Sequence, residues 1–208
     1  MDYNNYFKNY INSISNLLAE VDTNLIYQSV ELIKKKISSN SRIFLVGNGG
    51  SSSIASHVSV DFSKSAKIKS LTFNNSNLIT CFANDFGYEN WVKEAIKAFC
   101  TIDDILILIS SSGKSKNIIN AAKYCSTNKI DLITLSGFSK DNELSKLGNV
   151  NFFVSSNDYN YIEMTHLIIL VSIVDIFAKK ILWLYSVLQL LALEQSGGVA
   201  QLVRAEES

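Results

Sequence analysis

Two pairs of side chains in this sequence are spaced to act together on a helix. His57 and Asp61 stand at i and i+4, and Glu163 and His166 at i and i+3, so the members of each pair fall on neighbouring positions of one helix surface. An imidazole beside a carboxylate at such spacing can hold zinc or pass a proton. A histidine satisfied within the core explains the same pattern. These are the only histidines among 208 residues. Two loops supply groups of another kind. The stretch VGNGGSSS, residues 46–53, puts three of nine glycines within four positions and follows them with three serines. Glycine accepts positive φ and lets a ligand approach the backbone. A helix beginning at Ser51 would offer unpaired N–H groups and a positive dipole end. Asn48, Gly49, Gly50 and Ser51 therefore read as a site for an anion, most simply a phosphate. A tight strand–helix turn with a serine cap is the plainer reading. The dinucleotide fingerprint is excluded, because it requires glycine at Ser52.

The stretch ISSSGKSKN, residues 109–117, repeats the arrangement. Its Gly-Lys-Ser resembles a nucleotide-binding loop, but that pattern needs glycine where Leu108 stands. The hydroxyls of Ser110, Ser111, Ser112 and Ser115 instead suggest a second wall of one pocket. Neutral hydroxyls and amides suit a phosphomonoester that is held and not cleaved.

These groups need elements to position them. Helical periodicity covers 6–18 and 23–38. Short apolar runs then alternate with helical patterns. Strands are expected at 42–46, 68–73, 104–110, 131–137 and 149–155. Helices are expected at 52–64, 88–99 and 115–126, and a long one from Asn157. Continuous apolar strands alternating with helices predict an α/β fold, a three-layer αβα sandwich on a parallel sheet. Ligands of such sheets bind beyond the carboxyl ends of the strands, where both loops lie.

Apolar residues make up 47% of the chain and the formal net charge is zero. Arg42 and Arg204 are the only arginines, so there is no basic footprint for nucleic acid. Cys81, Cys100 and Cys125 are odd in number and widely spaced. That predicts reduced thiols, packing roles and a cytoplasmic setting. No basic segment followed by an apolar run opens the chain, and no secretion signal is expected. The apolar stretch 167–193 is interrupted by Asp175, Lys179 and Lys180. We expect a buried or interface helix there, not a membrane span. Residues 181–208 differ in composition, with no Asn after Asn160 and no Lys after Lys180. The string GGVAQLVRA, residues 197–205, can be encoded by a sequence resembling the D-arm of a tRNA gene. The expectation is one domain over 1–180, and a tail from a reading frame that runs into a neighbouring gene.

Taken together and in order, GNGGS (47–51), NDFGYE (84–89) and SSSGKS (110–115) resemble the sugar isomerase (SIS) domain, and within it the phosphoheptose isomerases. The resemblance spans about residues 1–180. It implies a five-stranded parallel sheet of flavodoxin-like topology and a homotetramer with sites at subunit interfaces. The implied activity is aldose–ketose isomerisation, from sedoheptulose 7-phosphate to D-glycero-D-manno-heptose 7-phosphate for surface polysaccharide such as lipopolysaccharide. It assigns the sugar phosphate to Ser51, Ser110, Ser112 and Ser115. Ser111 takes the place of a substrate-contacting threonine, and Asp85 that of a contact to sugar hydroxyls. It also implies zinc on His57, Asp61 and Glu163, with Asp61 where the family has Glu and Glu163 where it usually has Gln. Asp61 and Glu163 are then the candidate catalytic carboxyls. The family's last-helix histidine, a ligand and proton carrier, falls at Val171, and its substrate-contacting arginine is absent near Lys64 and Ser65. That departure supports a second reading, a non-catalytic module that binds phosphosugars or a protein partner.

Overall fold

The computed structural model describes residues 2–37 and 41–195, the stretch 180–195 by its backbone alone. Two helices open it, α1 (Tyr3–Ala19) and α2 (Thr23–Ile37). There follow β1 (Ile43–Gly47), α3 (Gly50–Lys64), β2 (Ser70–Thr72), α4 (Ser76–Phe86), α5 (Trp91–Phe99) and β3 (Ile105–Ser110). The chain continues through α6 (Lys116–Thr127), β4 (Asp131–Ser136), a short 3-10 turn (Leu144–Lys146), β5 (Val150–Phe153) and α7 (Tyr159–Gln195). All strand pairs are parallel, in the order β2-β1-β3-β4-β5.

The strands are apolar without interruption because both faces of the sheet are covered. Ile43, Leu45, Ile105, Ile107, Ile109, Ile133 and Leu135 face one core with residues of α2, α3 and α7. Phe44, Val46, Leu106, Leu108 and Leu132 face the other, against α5 and α6. Strand alternation thus sorts apolar neighbours into two separate cores. At the amino end of β3, Asp104 is buried and takes two side-chain hydrogen bonds from Arg42, 2.9 and 3.2 Å long. It also accepts from the backbone N–H groups of Arg42 and Thr101. Burial works to raise the Asp104 pKa, and these hydrogen bonds overcome it, leaving the carboxyl below its ordinary value.

The predicted strands and helices are present with shifted ends, the helix expected from Tyr88 beginning at Trp91 after a turn and the strand expected at 149–155 spanning Val150–Phe153, and two further differences stand out. The strand expected at 68–73 shortens to Ser70–Thr72, and Lys67 turns through a positive φ of 56° before it. Helix α4 was not expected at all. Its signals are local: Asn75 caps it by accepting from the Asn77 N–H at 3.0 Å, and Leu78, Ile79, Phe82 and Ala83 pack on the second core. The segment Tyr159–Lys179 of α7 is long and apolar enough to cross a membrane. Its Ile162, Ile169, Leu170, Ile173, Val174 and Phe177 are nevertheless buried in the first core, so the apolarity of this segment is that of a core helix. Helix α7 also runs through the expected boundary at 180/181. The side chains of 180–195 and all of 196–208 lie outside the described residues, and with them the expected tail.

Candidate functional site

The sheet order reverses between β1 and β3. The loops leaving these neighbouring strands run to opposite faces, which opens a crevice at their carboxyl ends. The two loops singled out in the sequence are these loops. The first leaves β1 at Gly47 and enters α3 at Gly50. Gly49 turns it with φ 53° and ψ −124°, a conformation open in practice only to glycine. The second leaves β3 at Ser110, bends at Gly113 and enters α6 at Lys116. Two helix N-termini, α3 and α6, thus open beside the same crevice.

The serines meet across it. Ser51 Oγ and Ser111 Oγ are 3.3 Å apart, both nearly buried. Ser110 donates to Ser115 Oγ at 3.1 Å. Ser112 is half-buried, and its hydroxyl accepts from the Lys114 N–H at 3.3 Å. Ser111 also hydrogen-bonds the Glu163 carboxylate. Glu163 comes from α7, whose first turns pack over α3. A Cβ built on Gly50 would overlap the Glu163 carboxylate. Glycine at position 50 is therefore what lets this carboxylate reach the first turn of α3. Burial raises the Glu163 pKa above the ordinary carboxyl value, and the Ser111 hydrogen bond partly offsets the rise.

Glu163 and His57 line one pocket of about 290 Å³ with Gly50, Ser53, Ile54, Met164 and Leu167. A larger hollow of about 400 Å³, lined by Lys129, Asp131 and Lys146, lies at the amino end of β4. It shares nothing with the loops, and size alone does not mark the site. His57 Nε2 is 3.2 Å from Asp61 Oδ2, on the face of α3 beside the pocket, with the imidazole 59% exposed.

The expected zinc donors His57, Asp61 and Glu163 differ in how they are engaged. The first two are partners of each other, and Glu163 is held by Ser111 against Gly50. Among the described residues no three His, Cys, Asp or Glu side chains group closely enough to hold a metal ion. As placed, the three do not fit zinc. Val171, where a further ligand would stand, packs half-buried against the first core. The pairing of Glu163 with His166 is not realised either. His166 is fully buried, and its Nε2 lies 3.1 Å from the Ser136 carbonyl oxygen. Its Nδ1 has no partner among the described residues. Burial pushes its pKa down to about 4, so it is neutral near pH 7 and ties α7 to the end of β4.

Asp85 is exposed at the end of α4, and its carboxylate accepts from Asn84 Nδ2 at 2.9 Å. It is Tyr88, three residues on, that reaches the first loop, donating to Asn48 Oδ1 at 3.2 Å. Asn48 and Asn117 exchange two side-chain hydrogen bonds, each 3.0 Å long. On the other side Asn74 donates to the Gly47 carbonyl at 2.8 Å and accepts from its N–H at 3.3 Å. The sequence reading missed Tyr88, Asn117 and Asn74. Tyr88 and Asn117 lie within or beside the motifs it used, but which loop they join depends on strand order.

The family model described as the SIS domain matches residues 5–137. A phosphoheptose isomerase of Helicobacter pylori is 30% identical over 150 residues, covering 69% of this chain and 77% of that protein. The solved phosphoheptose isomerase GmhA of Neisseria gonorrhoeae superposes with a TM-score of 0.76 at 19% identity, covering 86% of this chain and all of that one. The NanR protein of Vibrio vulnificus, solved in complex with ManNAc-6P, superposes at 0.59 with 18% identity, over 92% of this chain and 66% of that one. The solved structures share the fold, and the sequence match carries the kinship: this chain belongs to the SIS domain family.

Proposed function

We propose that the protein is a sugar-phosphate isomerase acting on sedoheptulose 7-phosphate to give D-glycero-D-manno-heptose 7-phosphate. The observation that carries this reading is the chain of contacts Ser51–Ser111–Glu163, which sets a carboxyl group beside a crevice suited to phosphate. Relatives named phosphoheptose isomerases support the substrate, and a fold neighbour complexed with ManNAc-6P supports a phosphosugar ligand. Two helix N-termini and the hydroxyls of Ser51, Ser110, Ser112 and Ser115 would hold the phosphate without attacking it.

Isomerisation moves a proton between C1 and C2 through an enediol. One group must take the carbon-bound proton while another gives a proton to the carbonyl oxygen. Asp61, beside His57, is the proposed base. Glu163, whose raised pKa keeps it protonated to higher pH, is the proposed donor to oxygen. Exchanging the roles on the adjacent carbon completes the reaction with no net gain or loss of protons.

Zinc enters this reading as a proposal on His57, Asp61 and Glu163, whose placement would have to change to receive it. No step above depends on it. Activity surviving dialysis against a chelator supports proton transfer by the carboxyls alone, and activity lost and restored by zinc returns the metal to the site. Assembly as a homotetramer in the cytoplasm belongs to the same proposal. Helix α1 buries none of its residues and leaves Tyr3, Tyr6, Phe7 and Ile11 exposed, as a helix awaiting a second copy would.

The direct test is NMR in D2O with sedoheptulose 7-phosphate. Deuterium entering the sugar as aldose appears is the expected result. Binding without exchange would turn the assignment to a phosphosugar-binding module, the reading that valine at 171 favours.

A further inference from the structure

We propose that Asn117 and Tyr88 are positioning residues that hold Asn48, and with it the glycine loop, in the shape that receives the phosphosugar. The inference rests on the site reading above and adds residues to it that touch no substrate themselves.

The three residues come from three separate segments. Asn48 lies in the loop after β1, Asn117 in the first turn of α6, and Tyr88 just beyond the end of α4. Asn117 is 2% exposed. Its carboxamide meets that of Asn48 in a closed pair of hydrogen bonds, 3.0 Å in each direction. Such a pair fixes both planes at once, because rotating either amide breaks both bonds and strands buried polar atoms. Asn48 is thereby tied to the helix that begins the serine loop, so the two walls of the crevice are set relative to each other. Tyr88 adds the third segment. Gly87, at φ 80°, ends α4 in a conformation that favours glycine and directs the chain back over the loop. The Tyr88 hydroxyl then donates to Asn48 Oδ1 at 3.2 Å. That oxygen accepts two hydrogen bonds, and one N–H of Asn48 remains for a ligand.

A loop with three glycines in four positions has much conformational freedom to lose on binding. Asn74 fixes its start through the Gly47 peptide, and Asn117 with Tyr88 fixes the next residue. Pre-paid ordering of this kind appears in affinity more than in chemistry.

The test is a double-mutant cycle read by calorimetric titration with sedoheptulose 7-phosphate, alongside deuterium exchange at saturating sugar and a thermal midpoint. Asn117→Ala is expected to raise the Kd about tenfold and to change the saturated exchange rate less than about threefold. Tyr88→Phe removes only the hydroxyl of an exposed side chain, and is expected to raise the Kd about threefold with an unchanged midpoint. In the Asn117→Ala background Tyr88→Phe should add nothing, since Asn48 is already released. If Asn117→Ala does not fold, Asn117→Ser, which also loses the paired carboxamide, replaces it in the cycle with the same expectation. Wild-type affinity in Tyr88→Phe overturns the proposal. Additive losses also overturn it, because they would make Tyr88 an independent contact to the sugar. A lowered midpoint in Asn117→Ala with wild-type Kd reduces Asn117 to a packing role and overturns it too. Wild-type protein that binds neither this sugar nor inorganic phosphate removes the site reading itself.

Discussion

A carboxylate, that of Glu163, packs where Gly50 has no side chain, and the reading above makes it the proposed donor to the sugar oxygen. Burial raises the pKa of Glu163, so its charged form is less stable in the folded chain than in the unfolded one. Between the unfolded carboxyl value of 4.5 and the higher folded value, the folded state binds more protons, and stability falls as pH rises through that window. Glu163→Gln should therefore melt slightly higher than wild type at neutral pH, with the gain vanishing below pH 4.5. The same substitution should slow deuterium exchange into the sugar by about 10²- to 10⁴-fold, with sugar affinity within a few-fold. A variant that loses stability while keeping its exchange rate would remove Glu163 from the chemistry. Gly50 was legible in sequence as part of a glycine loop suited to an anion. That its missing Cβ admits Glu163, more than a hundred positions later, depends on how α7 crosses α3.

At the scale of the element, α7 does two jobs with residues one turn apart. It offers Glu163 to the pocket lined with Gly50 and His57 and buries His166 in the core. The sequence spacing put the two on one helix surface but could not say that the surface is split between a cavity and the end of β4. Burial holds the His166 pKa at about 4, against 6.5 for the free group. A depressed histidine contributes stability that is fully present above pH 6.5 and is lost as pH falls through the window toward 4. The loss over that window is about 3 kcal/mol. Denaturant melts at pH 7, 6, 5 and 4 should show this steep decline in wild type and a flatter one in His166→Gln. Equal slopes would mean that the buried imidazole does not titrate as its surroundings require. Helix α4 carries the opposite lesson. Its cap at Asn75 and its apolar positions were readable, yet the segment passed for a connection because Asn and Thr interrupt the apolar pattern.

At the scale of the whole molecule, large apolar side chains stand exposed on helices α1, α3 and α7. Val60 on α3 and Met164 and Ile168 on α7 are exposed, as are Tyr3, Tyr6, Phe7 and Ile11 of α1. Apolar surface of this extent is costly to leave in water. Light scattering on a sizing column should give the mass of a multimer, a tetramer on the reading above. Phe7→Glu, which sets a charge on the exposed face of α1, should shift that mass downward without unfolding the chain. A wild-type monomer at tens of micromolar would show that these faces serve another purpose.

The sequence by itself determined the α/β class, the core strands, the two loops and the kinship they carry. Those properties rest on local patterns: apolar runs, helical periodicity, glycine and serine at strand ends. Tertiary structure alone decided which side chains meet. It tied Asn48 to Asn117 and Tyr88, Glu163 to Ser111 and Gly50, and His166 to Ser136. The His57–Asp61 contact, four positions apart, was already legible in the spacing, but that Glu163 takes a different partner was not. The physical reason is that residues 30 to more than 100 positions apart become neighbours only once strand order and helix packing are set. No spacing along the chain encodes that proximity.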